Sequence, residues 1–124
     1  SFHPNVDREG KLAFLRDLSL FCVPARFPEA FGLYVVEALA AGVPVVLPSE
    51  GAFPEIVDTT SGGLLYEPND PHALADALED LLARPDEAHA MGLRGHETVA
   101  ERFSNAILAK ELVENVLAPQ PVTP

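Results

Sequence analysis

The chain has 124 residues, one domain's worth, enough for a real but modest core. Hydrophobic content of 48% with 22% charged residues is that of a globular protein and not a disordered one. Eight basic against 19 acidic residues give a net charge of −11, which argues against a nucleic-acid or anionic-membrane surface. It leaves a phosphate ligand open, because backbone amides hold phosphate without cationic side chains.

In chain order, helices alternate with short strands. Arg8 to Leu18 carries Leu12, Phe14, Leu15 and Leu18 at helical spacing. Leu20 to Val23 is a short apolar run closed by Pro24, the pattern of a buried parallel strand. The loop Pro24 to Ala30 leads into a helix over Gly32 to Ala41. Pro28 and Gly32 punctuate its start, Gly42 fits the left-handed residue past its end, and Pro44 forbids continuation. Val43 to Leu47 reads as a second buried strand with Pro44 at its entrance. The turn Pro48 to Gly51 precedes a short helix near Phe53 to Val57, and Gly62-Gly63 opens a third strand, Leu64 to Tyr66.

Helices dominate after that. Asp70 is an N-cap with Pro71 at the first helical position, and Ala73, Leu74, Ala77, Leu78, Leu81 and Leu82 form one apolar stripe. Pro85 starts another helix, acidic in its first turn, and Ser104 caps a last one; residues from Ala118 on read as a disordered tail. The domain is expected over residues 1–117 and the flexible tail over 118–124. The whole pattern is α/β, a parallel sheet of about three strands with flanking helices, right-handed crossovers and a helical C-terminal part.

Cys22 is the single cysteine and lies in the apolar run L-F-C-V, where a buried inert thiol is expected. No disulfide within the chain is possible, which fits a reducing, cytoplasmic setting. No apolar stretch reaches membrane-spanning length without Gly, Pro or charge, and no signal peptide is visible. The chain begins at Ser1 and its only methionine is Met91, so it reads as a piece of something longer.

Glu37 is the only charged residue between Phe31 and Pro48, and Glu29 stands eight positions before it. A carboxylate in an apolar helix is costly unless something binds it. In open α/β sheets the ligand sits beyond the carboxyl ends of the strands, where the loops holding Glu29 and Gly51 run into helix N-termini. The positive end of the Gly32 helix suits an anion, and Glu37 lies roughly 7–8 Å further along its axis at about 1.5 Å per residue. An elongated ligand with phosphates at the helix end would bring a polyol ring beside Glu37.

The segment P-E-A-F-G-L-Y-V-V-E-A-L-A-A-G-V-P-V-V, followed by G-A-F-P-E-I-V and G-G-L-L-Y, closely resembles the retaining family 4 glycosyltransferases. These have the GT-B fold of two Rossmann-like domains and a signature of two glutamates with seven residues between, which Glu29 and Glu37 match. The resemblance runs to about Phe103. It implies a partial Rossmann-like sheet, the second half of the C-terminal donor-binding domain, and a nucleotide-sugar donor (UDP-, GDP- or ADP-sugar). By that resemblance Glu29 would contact the donor sugar as the catalytic glutamate. The amides of Phe31, Gly32, Leu33 and Tyr34 would approach sugar and phosphates, and Glu37 would hold the ribose. Reaction in the family is described as front-face substitution assisted by the leaving phosphate. The family's basic pair that grips the pyrophosphate has no match here, and its N-terminal acceptor domain lies outside this chain. The chain alone is therefore expected to be inactive and to self-associate through an open sheet edge.

Simpler readings stand beside these. Glu29 could merely complement the helix dipole, and Glu37 could pair with an Arg or Lys. Glu55 is a first-turn helix acid, Gly51, Gly62 and Gly63 serve turns, and Tyr34 and Phe31 fit a core as well as a ligand platform. No cofactor is implied, and His3, His72, His89 and His96 make no ligand-spaced set, so no metal is expected. The rival function is a non-catalytic nucleotide- or phosphate-binding module, which would keep Glu37 but not need Glu29.

Overall fold

The computed structural model describes residues 7–24 and 32–102. Glu29, Phe31, the Ser104 helix and the tail lie outside the described residues. Helix α1 covers Arg8–Arg16, and Asp7 caps it by accepting from the Gly10 amide at 2.7 Å. Strand β1 is Phe21–Cys22, α2 is Leu33–Ala40, β2 is Val45–Pro48, α3 is Phe53–Thr60 and β3 is Gly63–Tyr66. Two helices follow, α4 over Pro71–Leu82 and α5 over Pro85–Arg102. The strands pair in the order β1-β2-β3, all parallel, with Phe21 opposite Val45 and Val46 opposite Leu64. The α/β architecture thus follows the expected alternation.

The period-two geometry of the strands divides the core between the two faces of the sheet. Val45 and Leu47 of β2 face one side with Leu15, Val35, Leu39, Phe53, Ile56 and Val99. Val46 faces the other, with Tyr66, Leu81, Met91 and the partly buried Leu64 and Leu74. Helices α1, α2 and α3 therefore cover one face and α4 the other. Helix α5 contributes to both, through Val99 and Met91. At about 1.5 Å per residue its length of 18 residues spans roughly 27 Å, enough to cross the domain.

Backbone signals in the sequence act where expected. Gly42 is left-handed at φ 81°, and the Val43 amide donates to Ala38 O at 3.1 Å while the Gly42 amide donates to Leu39 O at 2.9 Å. This paired closure ends α2. Asp70 accepts from the amides of His72 and Ala73, both at 3.0 Å, and so starts α4.

Three details depart from the expectation. Helix α3 runs to Thr60 and not Val57, because Thr60 is buried (1% exposed) and its hydroxyl donates to Ile56 O at 2.7 Å. Leu82 points outward at 60% exposure while its neighbour Leu81 is fully buried. Cys22 is partly buried, packed beside the Val46–Tyr66 cluster, and so less enclosed than its apolar run suggested. Among the described residues no helix is long and apolar enough to cross a membrane.

Helix α5 docks through glycines. A Cβ on Gly92 would run into the Gly42 carbonyl, and one on Gly95 would stand 2.6 Å from Leu39 Cδ2. These contacts bring α5 close against the end of α2, where His96 Nδ1 lies 2.7 Å from Ala40 O. A carbonyl only accepts, so that ring nitrogen carries the proton and satisfies one carbonyl of the last turn of α2.

Candidate functional site

In a parallel sheet each crossover helix begins at the carboxyl end of the strand before it. The starts of α2 and α3 therefore lie at one end of the sheet, after β1 and β2. Gly32, the N-cap of α2, is buried and left-handed at φ 70°. An added Cβ there would sit 2.9 Å from Ile56 Cδ1 and 3.5 Å from Phe53 Cε1. The first turn of α2 is thus packed directly on the first turn of α3. Asp7 and Asp70 cap α1 and α4 with their side chains, whereas the N-cap positions of α2 and α3 hold Gly32 and Ala52, neither of which makes a side-chain cap.

Of the expected site residues, Gly32, Leu33, Tyr34 and Glu37 fall together on the first two turns of α2. Leu33 is half-buried. The Tyr34 side chain is exposed and its ring lies 6.3 Å from that of Phe21, tilted by 53°. Val35 and Val36 point inward, so the helix presents Leu33, Tyr34 and Glu37 away from the core. Glu29 and Phe31 lie outside the described residues.

Glu37 is not the buried, solitary carboxylate that its apolar surroundings suggested. Its side chain is 40% exposed, and Glu37 Oε2 lies 3.1 Å from Lys11 Nζ on α1. The helical pattern around it is apolar because Val35, Val36, Ala38 and Leu39 are buried, while Glu37 takes the outer face. The simpler reading, pairing of Glu37 with a Lys or Arg, is met by Lys11, and the β1 crossover is what brings that particular cation to it. No local spacing signals it.

A second acidic residue follows β2 at the carboxyl end of the sheet. This is Glu50, and its Oε1 is buried with no hydrogen-bond partner among the described residues. The Ser49 amide donates to Tyr66 O at 2.8 Å, extending the β2–β3 ladder, and the Tyr66 hydroxyl donates to Val23 O at 2.8 Å. Burial holds the Tyr66 phenol above its ordinary pKa of 10.0, and the charges of Cys22 and Glu50 push it the same way. Sequence reading took Glu50 only as part of a turn. Among the described residues no three His, Cys, Asp or Glu side chains are grouped to hold a metal ion.

Comparison with known proteins gives the family of the chain. Residues 1–98 match the family described as glycosyl transferases group 1. The chain is 35% identical over 112 residues to a phosphatidyl-myo-inositol mannosyltransferase of Mycobacterium leprae, covering 90% of this chain and 30% of that protein. It is 37% identical over 86 residues to a GDP-mannose-dependent phosphatidylinositol monomannoside mannosyltransferase of Mycobacterium tuberculosis, covering 69% of this chain and 22% of the relative. Among solved structures, sucrose-phosphate synthase from Thermosynechococcus elongatus superposes with a TM-score of 0.81 at 32% identity, over 95% of this chain and 30% of that one. The chain thus spans less than a third of the length of these relatives. It belongs to the glycosyl transferases group 1 family, of GT-B fold.

Proposed function

We propose that this chain supplies part of the donor site of a retaining glycosyltransferase, as the C-terminal part of a nucleotide-sugar-binding domain. The observation that carries the reading is the position of α2. In a group 1 segment its N-terminus lies at the carboxyl end of a parallel sheet, against the start of α3, with Glu37 on its second, outward-facing turn. The amides of Phe31, Gly32, Leu33 and Tyr34 would meet the donor sugar and diphosphate, where the helix dipole favours negative charge. Glu37 would accept hydrogen bonds from the ribose hydroxyls, and Glu29 would contact the sugar being transferred. The donor is a UDP-, GDP- or ADP-sugar, and the acceptor would be held by a domain outside this chain. We place the reaction in the cytoplasm, on the single cysteine.

The test uses the full-length protein that carries this segment. Glu37→Ala should weaken binding of the nucleoside diphosphate and the nucleotide sugar alike. Each charge-assisted hydrogen bond lost is worth about 1.5–3 kcal/mol at most. Glu29→Ala should lower kcat more than it weakens nucleoside diphosphate binding, because its contact is to the group in flight. Unchanged donor affinity in a folded Glu37→Ala protein sinks the ribose assignment. Binding with no transfer to any acceptor would favour a non-catalytic nucleotide-binding module instead.

A further inference from the structure

We propose that Lys11 is a positioning residue for the ribose carboxylate, a role that rests on the reading of Glu37 above. Lys11 Nζ lies 3.1 Å from Glu37 Oε2, an ion pair at direct contact. That contact engages one carboxylate oxygen and leaves Oε1 to accept from a ligand. A glutamate has three side-chain torsions, and an outward-facing one in water samples many rotamers. Tethering one oxygen to Lys11 restricts the carboxylate on the outward side of α2.

The pair also settles the charge around the ligand. Glu37 stands roughly 7–8 Å along α2 from Gly32, at about 1.5 Å per residue. An uncompensated carboxylate at that distance would repel a diphosphate docked on the helix start. Lys11 cancels that charge while keeping the hydrogen-bond acceptor. On α1 it is Lys11 whose ammonium is set against Glu37. As a stability element the pair is minor, since both side chains are close to half exposed, at 48% and 40%. A contact that contributes little to folding yet holds the orientation of a site carboxylate is the signature of a positioning residue.

The experiment compares nucleoside diphosphate binding by calorimetry in the full-length protein, using GDP, UDP and ADP, each against its 2′-deoxy and 3′-deoxy counterparts. The readout is the ribo/deoxy affinity ratio for whichever base binds. Lys11→Met should lower ribonucleotide affinity about 5- to 10-fold and shrink the ratio toward one, with the thermal midpoint unchanged. Lys11→Arg should restore most of both, since it keeps charge and donors. Glu37→Gln is the control for the underlying reading. If Glu37→Gln shrinks the ratio but Lys11→Met does not, the Lys11 role is overturned and the ribose assignment stands. If neither changes the ratio, or none of the three diphosphates binds the wild type, both fall. Tighter binding in Lys11→Met would mean that the pair competes with the ligand, which also overturns the proposal.

Discussion

Gly32→Ala tests the start of α2 most directly. Two costs follow from the structure. At φ 70° an L-residue in left-handed backbone costs roughly 1–2 kcal/mol, and reduced freedom of the unfolded chain returns about 0.4–1 kcal/mol of that. The new methyl would also stand 2.9 Å from Ile56 Cδ1, whose side chain is buried at 8% exposure and must shift. Crowding of this kind starts at about 1 kcal/mol. The sum is about 2 kcal/mol of lost stability. Gly42 provides the comparison, because it is equally left-handed at φ 81° but a Cβ there meets nothing within 4 Å. Gly42→Ala should therefore cost only the strain, about 1 kcal/mol net. Urea unfolding reads the difference as a midpoint lowered further in Gly32→Ala at unchanged m-value. Donor binding should weaken in Gly32→Ala alone, since only that change displaces the first turn of α2. If Gly42→Ala loses as much stability as Gly32→Ala, the packing of the two helix starts is not what fixes Gly32.

Other substitutions probe the scaffold around the site. Gly92→Ala drives a methyl into the Gly42 carbonyl, a backbone atom that cannot swing away, so a loss of about 2–3 kcal/mol is expected by urea unfolding. Tyr66→Phe removes the hydroxyl that satisfies Val23 O and should cost about 1 kcal/mol at pH 7. Burial raises the Tyr66 pKa above 10.0, so its contribution is complete below pH 10 and declines as pH rises through the folded value. The gap between wild type and Tyr66→Phe should accordingly narrow above pH 10 in denaturation curves; a gap that widens there contradicts the assignment. Asp70→Ala leaves the His72 and Ala73 amides without their acceptor and should cost about 1 kcal/mol, with Asp70→Asn recovering most of it.

The parts of this protein legible in the sequence are those set by near-neighbour sterics and by periodicity. Gly42 with Pro44 ends α2, Asp70 with Pro71 starts α4, and the apolar runs around Phe21, Val45 and Leu64 become the three strands. Each signal acts within a few residues of itself, so no knowledge of the rest of the chain is needed to read it. The resemblance to the family was legible in the same way, as the local motif P-E-A-F-G-L-Y-V-V-E-A-L-A-A-G-V-P-V-V around Glu29 and Glu37 and not as the spacing of the two glutamates alone. The tertiary structure alone decided which groups meet across crossovers. It set Lys11 against Glu37, the Tyr66 hydroxyl against Val23 O, and His96 against Ala40 O. It also turned Leu81 inward and Leu82 outward, and carried α3 on to a buried Thr60. Partners of this kind are far apart in sequence and come together through the twist of the sheet and the close glycine docking of α5, which no spacing along the chain encodes.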